Sequence, residues 1–132
     1  MNYTHTIYGE LSQMTPEGRV KAKVKVVLAS AGAYYVMPVT SGYGSSGAPD
    51  FLVCYGGRFV GIECKAGKGK PTGLQIKNLQ SIEQAGGQSL IVNEFNVVNL
   101  VHLLQEGVSS YEKNDQHTED LEGPKVRSKN PS

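Results

Sequence analysis

Residues 49–66 read PDFLVCYGGRFVGIECKA, and this stretch decides the fold. Two apolar, β-branched and aromatic runs flank Gly56-Gly57, and glycine at both central positions is the signature of a two-residue β-hairpin. Such a turn fixes the register: Tyr55 pairs with Arg58, Val53 with Val60 and Phe51 with Ile62. Asp50 then stands opposite Glu63, at a non-hydrogen-bonded pair where Cα atoms lie about 4.5 Å apart. Alternation puts Lys65 on the face of these two carboxylates with Leu52, Cys54, Phe59 and Gly61. Phe51, Val53, Val60, Ile62 and Cys64 take the other face. Both faces are this apolar, so the hairpin is expected at the centre of its sheet.

Working upstream, Thr15-Pro16-Glu17 opens a helix, with Thr as N-cap, Pro at the first helical position and an acid in the first turn. Val20, Val24, Val27, Leu28 and Ala31 recur at helical spacing until Gly32. Residues 33–39 (AYYVMPV) form a short strand, and residues 40–47 (TSGYGSSG) are too rich in Gly and Ser for regular structure. Downstream, a basic Gly-rich loop at residues 67–71 leads into a second helix from about Gly73 to Ala85, stopped by Gly86-Gly87. A strand at residues 89–92 and a third helix at residues 96–106 follow. This order gives an α/β fold, a small mixed β-sheet flanked by helices on both faces.

The 132 residues suit one small domain, placed at residues 1–107; residues 108–132 carry few apolar side chains and read as a disordered tail. Cys54 and Cys64 lie in strands with neither disulfide nor CxxC spacing, and read as small buried hydrophobes. No apolar run has membrane-spanning length and no secretory signal opens the chain, so an intracellular, cytoplasmic protein is expected. Its net charge is only +1, yet nine bases fall between Arg19 and Lys77, and the only acids from Glu17 to Lys77 are Glu17, Asp50 and Glu63. Three isolated carboxylates in a basic block need a reason.

Two like charges placed opposite each other repel, and Lys65 offsets this only in part. A cation bound between them resolves the conflict, and carboxylates with backbone carbonyls and water suit a hard ion such as Mg²⁺ or Mn²⁺. The plain alternative is a salt-bridged pair at a strand end.

Gly47-Ala48-Pro49-Asp50, Ile62-Glu63-Cys64-Lys65 and Gln75 on the next helix together resemble the PD-(D/E)xK nuclease superfamily, most closely its virus-type replication-repair (VRR-NUC) branch. The resemblance covers residues 15–93. It implies a restriction-endonuclease-like core and a Mg²⁺- or Mn²⁺-dependent DNA endonuclease, in which Asp50, Glu63 and the Cys64 carbonyl hold metal and Lys65 is the catalytic lysine. It further implies a small enzyme of viral or mobile origin, acting as a homodimer on branched DNA such as four-way junctions. Glu17 matches an additional acid that the family often carries on its first helix, although a first-turn acid also serves the helix dipole.

Gln75 has two readings. Thr72-Gly73-Leu74-Gln75 fits a capping box, whereas Gln75, Leu79 and Ile82 share a sheet-facing stripe, which favours a place in the site. Lys68 and Lys70 in the loop, and Arg19, Lys21, Lys23 and Lys25 on the first helix, could grip DNA phosphates. Tyr43 could stack on an unpaired base. His5, His102 and His117 are scattered and receive no catalytic role. The competing functions are a non-catalytic nucleic-acid-binding module of the same fold, and a restriction-like or end-processing nuclease. The intact set Asp50, Glu63, Lys65 and Gln75 speaks against the first, and the lack of a separate recognition domain against restriction.

Overall fold

A computed structural model describes residues 13–39 and 47–109 of the chain. Its elements run in the expected order: α1 (Pro16–Ser30), β1 (Tyr34–Val36), β2 (Phe51–Tyr55), β3 (Arg58–Cys64), α2 (Gly73–Gln84), β4 (Gln88–Val92), a 3₁₀ turn (Val97–Asn99) and α3 (Leu100–Glu106). The sheet order is β1-β2-β3-β4, with β1–β2 and β2–β3 antiparallel and β3–β4 parallel. The hairpin is therefore central, and its register is the expected one from Tyr55/Arg58 through Phe51/Ile62. Gly56 and Gly57 both have positive φ (58° and 79°), as a tight hairpin turn requires.

One face of the sheet carries Phe51, Val53, Val60, Ile62, Cys64, Leu90 and Val92, all buried against Val20, Val24 and Leu28 of α1 and Leu100 and Leu104 of α3. Truncating any of these leucines to Ala is expected to cost about 2–5 kcal/mol. On the opposite face α2 packs on β3 and β4. It can do so because Gly61 has no side chain: a Cβ there would lie 2.5 Å from Ile82 Cδ1. Ser89 fixes the same helix by donating its hydroxyl to the Leu79 carbonyl.

The cover on this second face is partial. α2 packs chiefly against β3 and β4, and Tyr34, Val36, Cys54 and Phe59 on β1, β2 and the start of β3 are exposed. Cys54 is thus not the buried hydrophobe expected of it, while Cys64, on the core face, is.

Arg58, one of the nine central bases, turns inward and donates to the Leu104 carbonyl near the end of α3. Packing also continues past residue 107, where the domain boundary was expected. Gln88 donates to the carbonyls of Leu103 and Val108, and Ser109, 5% exposed, accepts the Ser89 N–H through its hydroxyl oxygen. The remainder of the expected tail, residues 110–132, lies outside the described residues. None of the described helices is long and apolar enough to cross a membrane.

Candidate active site

Four pieces of chain meet at one end of the sheet: the first turns of α1, the residue before β2, the end of β3 and the end of β4. Asp50 does not continue the β2–β3 ladder. Its Oδ2 accepts the Cys64 N–H at 2.8 Å, so a side chain takes up the last edge donor of β3. Its Oδ1 lies 3.3 Å from the Lys21 ammonium of α1, which is in turn 3.9 Å from Glu17 Oε2. Burial alone would lower the Lys21 pKa, but the charge of Asp50 and its hydrogen bond outweigh this and hold it above the ordinary lysine value.

Glu63 is 1% exposed, and among the described residues neither of its oxygens has a hydrogen-bond partner. The Lys65 ammonium faces it at 3.5 Å from Oε2. Burial first, and the neighbouring Asp50 charge second, push the Glu63 carboxyl up to about 7, against the pull of Lys65. A buried carboxylate without hydrogen bonds is costly, and one positive neighbour compensates it only partly.

This donor set fits a hard divalent cation: two carboxylates, one of them buried without a hydrogen bond, with a lysine alongside. No group of three or more His, Cys, Asp or Glu comes together among the described residues, so backbone, water and substrate oxygens would have to complete the coordination. Cys64 could serve through its carbonyl. Its thiol sits on the core face, and burial pushes its pKa far above the ordinary thiol range.

The structure brings Asp50, Glu63 and Lys65 together and sets Glu17 at the rim, linked to them through Lys21. Gln75 is placed differently from the reading that favoured the site. Its Oε1 accepts the Thr72 N–H at 2.8 Å and its own N–H donates to the Thr72 hydroxyl, a complete capping box. The local hydrogen bonds of the helix start take the side-chain oxygen, although the residue does lie on the half-buried stripe with Leu79 and Ile82.

Lys68 and Lys70 are exposed on the loop that follows Lys65. Arg19 and Lys23 are also exposed, but at about 100° per residue they stand on the side of α1 opposite Lys21, away from the carboxylates. Arg19 also donates to the Met14 carbonyl at 3.0 Å. Tyr43 lies outside the described residues. His102 pairs with Glu106 at 3.0 Å along α3, which is not one of the four pieces that meet at the site.

Sequence reasoning missed Glu94. Just past β4, its two oxygens lie 3.1 and 3.0 Å from the Gly67 N–H and tie down the lysine loop. Lys65 itself extends the parallel ladder by donating its N–H to the Val92 carbonyl. An acid 27 residues from its partner leaves no periodic signal in the sequence.

No protein-family model matches the chain, and no curated protein does. Among solved structures, a VRR_NUC domain is similar with a TM-score of 0.59 and 28% identity, over 67% of this chain and 97% of that one. A Holliday junction resolvase, Hjc, from the archaeal hyperthermophile Archaeoglobus fulgidus is similar with a TM-score of 0.47 and 19% identity, over 58% of this chain and 66% of that one. Over about two thirds of its length this chain is therefore similar, in fold and in sequence, to a VRR_NUC domain, of the PD-(D/E)xK nuclease type.

Proposed function

We propose that the protein is a divalent-metal-dependent DNA endonuclease that hydrolyses phosphodiester bonds, with branched DNA as its substrate class. The observation that carries this reading is the Glu63 carboxylate, buried and without a hydrogen-bond partner, beside Asp50 and Lys65. Asp50, Glu63 and the Cys64 carbonyl would hold Mg²⁺ or Mn²⁺. When bound, that ion supplies positive charge beside the scissile phosphate, where charge builds up as the bond breaks.

The chain's own residues do the rest. Lys65, 14% exposed at its side chain, keeps its ammonium at the edge of the site, where it can orient a water or neutralise a phosphate oxygen. Lys68 and Lys70 extend the positive surface along the same loop and would hold flanking phosphates. The described residues hold one such site, so paired cuts across a four-way junction call for two copies, and a homodimer acting inside the cell is the form proposed.

The test is cleavage of single-stranded, duplex, flap and four-way DNA with Mg²⁺, Mn²⁺ or a chelator. Cleavage that depends on the ion and favours branched substrates is expected. DNA binding without cleavage under every ion would instead make the chain a non-catalytic binding module.

A further inference from the structure

Lys21 answers a question that the two carboxylates raise. Asp50 and Glu63 are placed for a cation, yet only Glu63 lacks a hydrogen-bond partner. Asp50 has both oxygens engaged: Oδ2 accepts the Cys64 N–H, and Oδ1 lies 3.3 Å from the Lys21 ammonium. The cause lies in the helix. Val20, Val24 and Leu28 seat α1 on the sheet, so Lys21, one residue beyond Val20, leaves at the border of that buried face and reaches the sheet end. Glu17, one turn earlier, steadies the ammonium from the other side at 3.9 Å.

An ammonium faces one oxygen of each carboxylate, Lys21 on Asp50 and Lys65 on Glu63, but the second oxygen of Asp50 is also taken, by the Cys64 N–H, so Asp50 must give up a contact to receive a metal. Lysine carries a compact charge on a flexible four-carbon stem, so it can vacate the position at the cost of one ion pair. Resting on the metal-dependent reading above, we propose that Lys21 is the resident counter-cation of Asp50, displaced when the divalent ion binds. It stabilises the ion-free site and sets the concentration of ion needed to load it.

The experiment compares wild type with Lys21→Met, and with Lys77→Met as a matched charge loss on exposed α2. Mn²⁺ binding is measured by calorimetry without DNA, and melting temperature with and without saturating Mn²⁺. Lys21→Met is expected to bind Mn²⁺ at least about threefold more tightly, in keeping with a partly exposed ion pair, and to melt lower than wild type when ion-free. Saturating Mn²⁺ should bring the two melting temperatures together, because the lost contact no longer exists in the loaded state. Lys77→Met should bind like wild type.

Equal or weaker Mn²⁺ binding by Lys21→Met overturns the proposal, as does a melting gap that persists in saturating Mn²⁺. If wild type binds Mn²⁺ and the variant binds it identically, only the role of Lys21 fails. If neither protein binds Mn²⁺, the metal-dependent reading fails with it.

Discussion

Asp50 accepts the Cys64 N–H at 2.8 Å through Oδ2, so the residue that would hold metal also finishes the hydrogen bonding of β3. The two roles separate by substitution. Asp50→Asn keeps an oxygen for the Cys64 N–H but loses the charge that faces Lys21, so it should keep the fold and lose about as much ion-free stability as Lys21→Met, while cleavage falls at least about a hundredfold. Asp50→Ala loses both, and the unsatisfied, partly buried N–H should cost a further ~1–2 kcal/mol. Denaturant melts alongside Mg²⁺-dependent cleavage check this; near-wild-type cleavage by Asp50→Asn would remove Asp50 from the site.

Glu63 makes stability depend on pH. Its carboxyl is pushed up to about 7 from an ordinary 4.5, so between these values the folded protein holds a proton that the unfolded chain has released. Stability therefore falls as pH rises across that window, and levels off above it. The expected loss is on the order of 1–3 kcal/mol, read as the difference in ion-free unfolding free energy between pH 5 and pH 8. Glu63→Gln should flatten the profile and abolish cleavage. A wild-type profile already flat across this window would mean that Glu63 is ionised throughout.

The hairpin, its register and its central place were legible because Gly56-Gly57 leaves one way to pair the strands and two apolar faces leave one place to put them. The side chains closing the site were less legible. Lys21 read as one base in a basic helix because its partner, Asp50, is 29 residues away, and only the packing of Val20, Val24 and Leu28 aims it there. Arg58 read as part of the same positive block yet donates to the Leu104 carbonyl, a contact between elements that are distant in sequence. Cys54 read as buried from its strand pattern, but that pattern carries no information on how far α2 reaches across the sheet.

Gln75 is expected to act through its helix. Thr72→Ala should destabilise by about 1 kcal/mol, the usual cost of an N-cap, and Gln75→Ala by somewhat less. Gln75→Glu preserves the capping box and should melt like wild type. Cleavage by Gln75→Ala should stay within about tenfold of wild type once folding is matched, in keeping with a helix cap and not a group at the reacting phosphate. A loss beyond about a hundredfold, with the fold intact, would return the side-chain amide to the site.

The lysine loop gives the sharpest test of where DNA lies. Lys68 and Lys70 are exposed, three and five residues past Lys65, and the Glu94–Gly67 contact holds the start of their loop against the end of β4. Each phosphate neutralised releases a condensed counterion, so every lost contact lowers the slope of log K against log salt by about one unit. Changing Lys68 and Lys70 together to Ala should weaken junction binding and flatten the slope by roughly one to two units, with the melting temperature unchanged. Arg19→Ala with Lys23→Ala, on the far side of α1, should change it less if the DNA approaches over the carboxylates. Binding titrations across a salt series decide between the two surfaces: a slope that responds to the α1 pair and ignores the loop would put the DNA on the opposite side of the domain from Asp50 and Glu63.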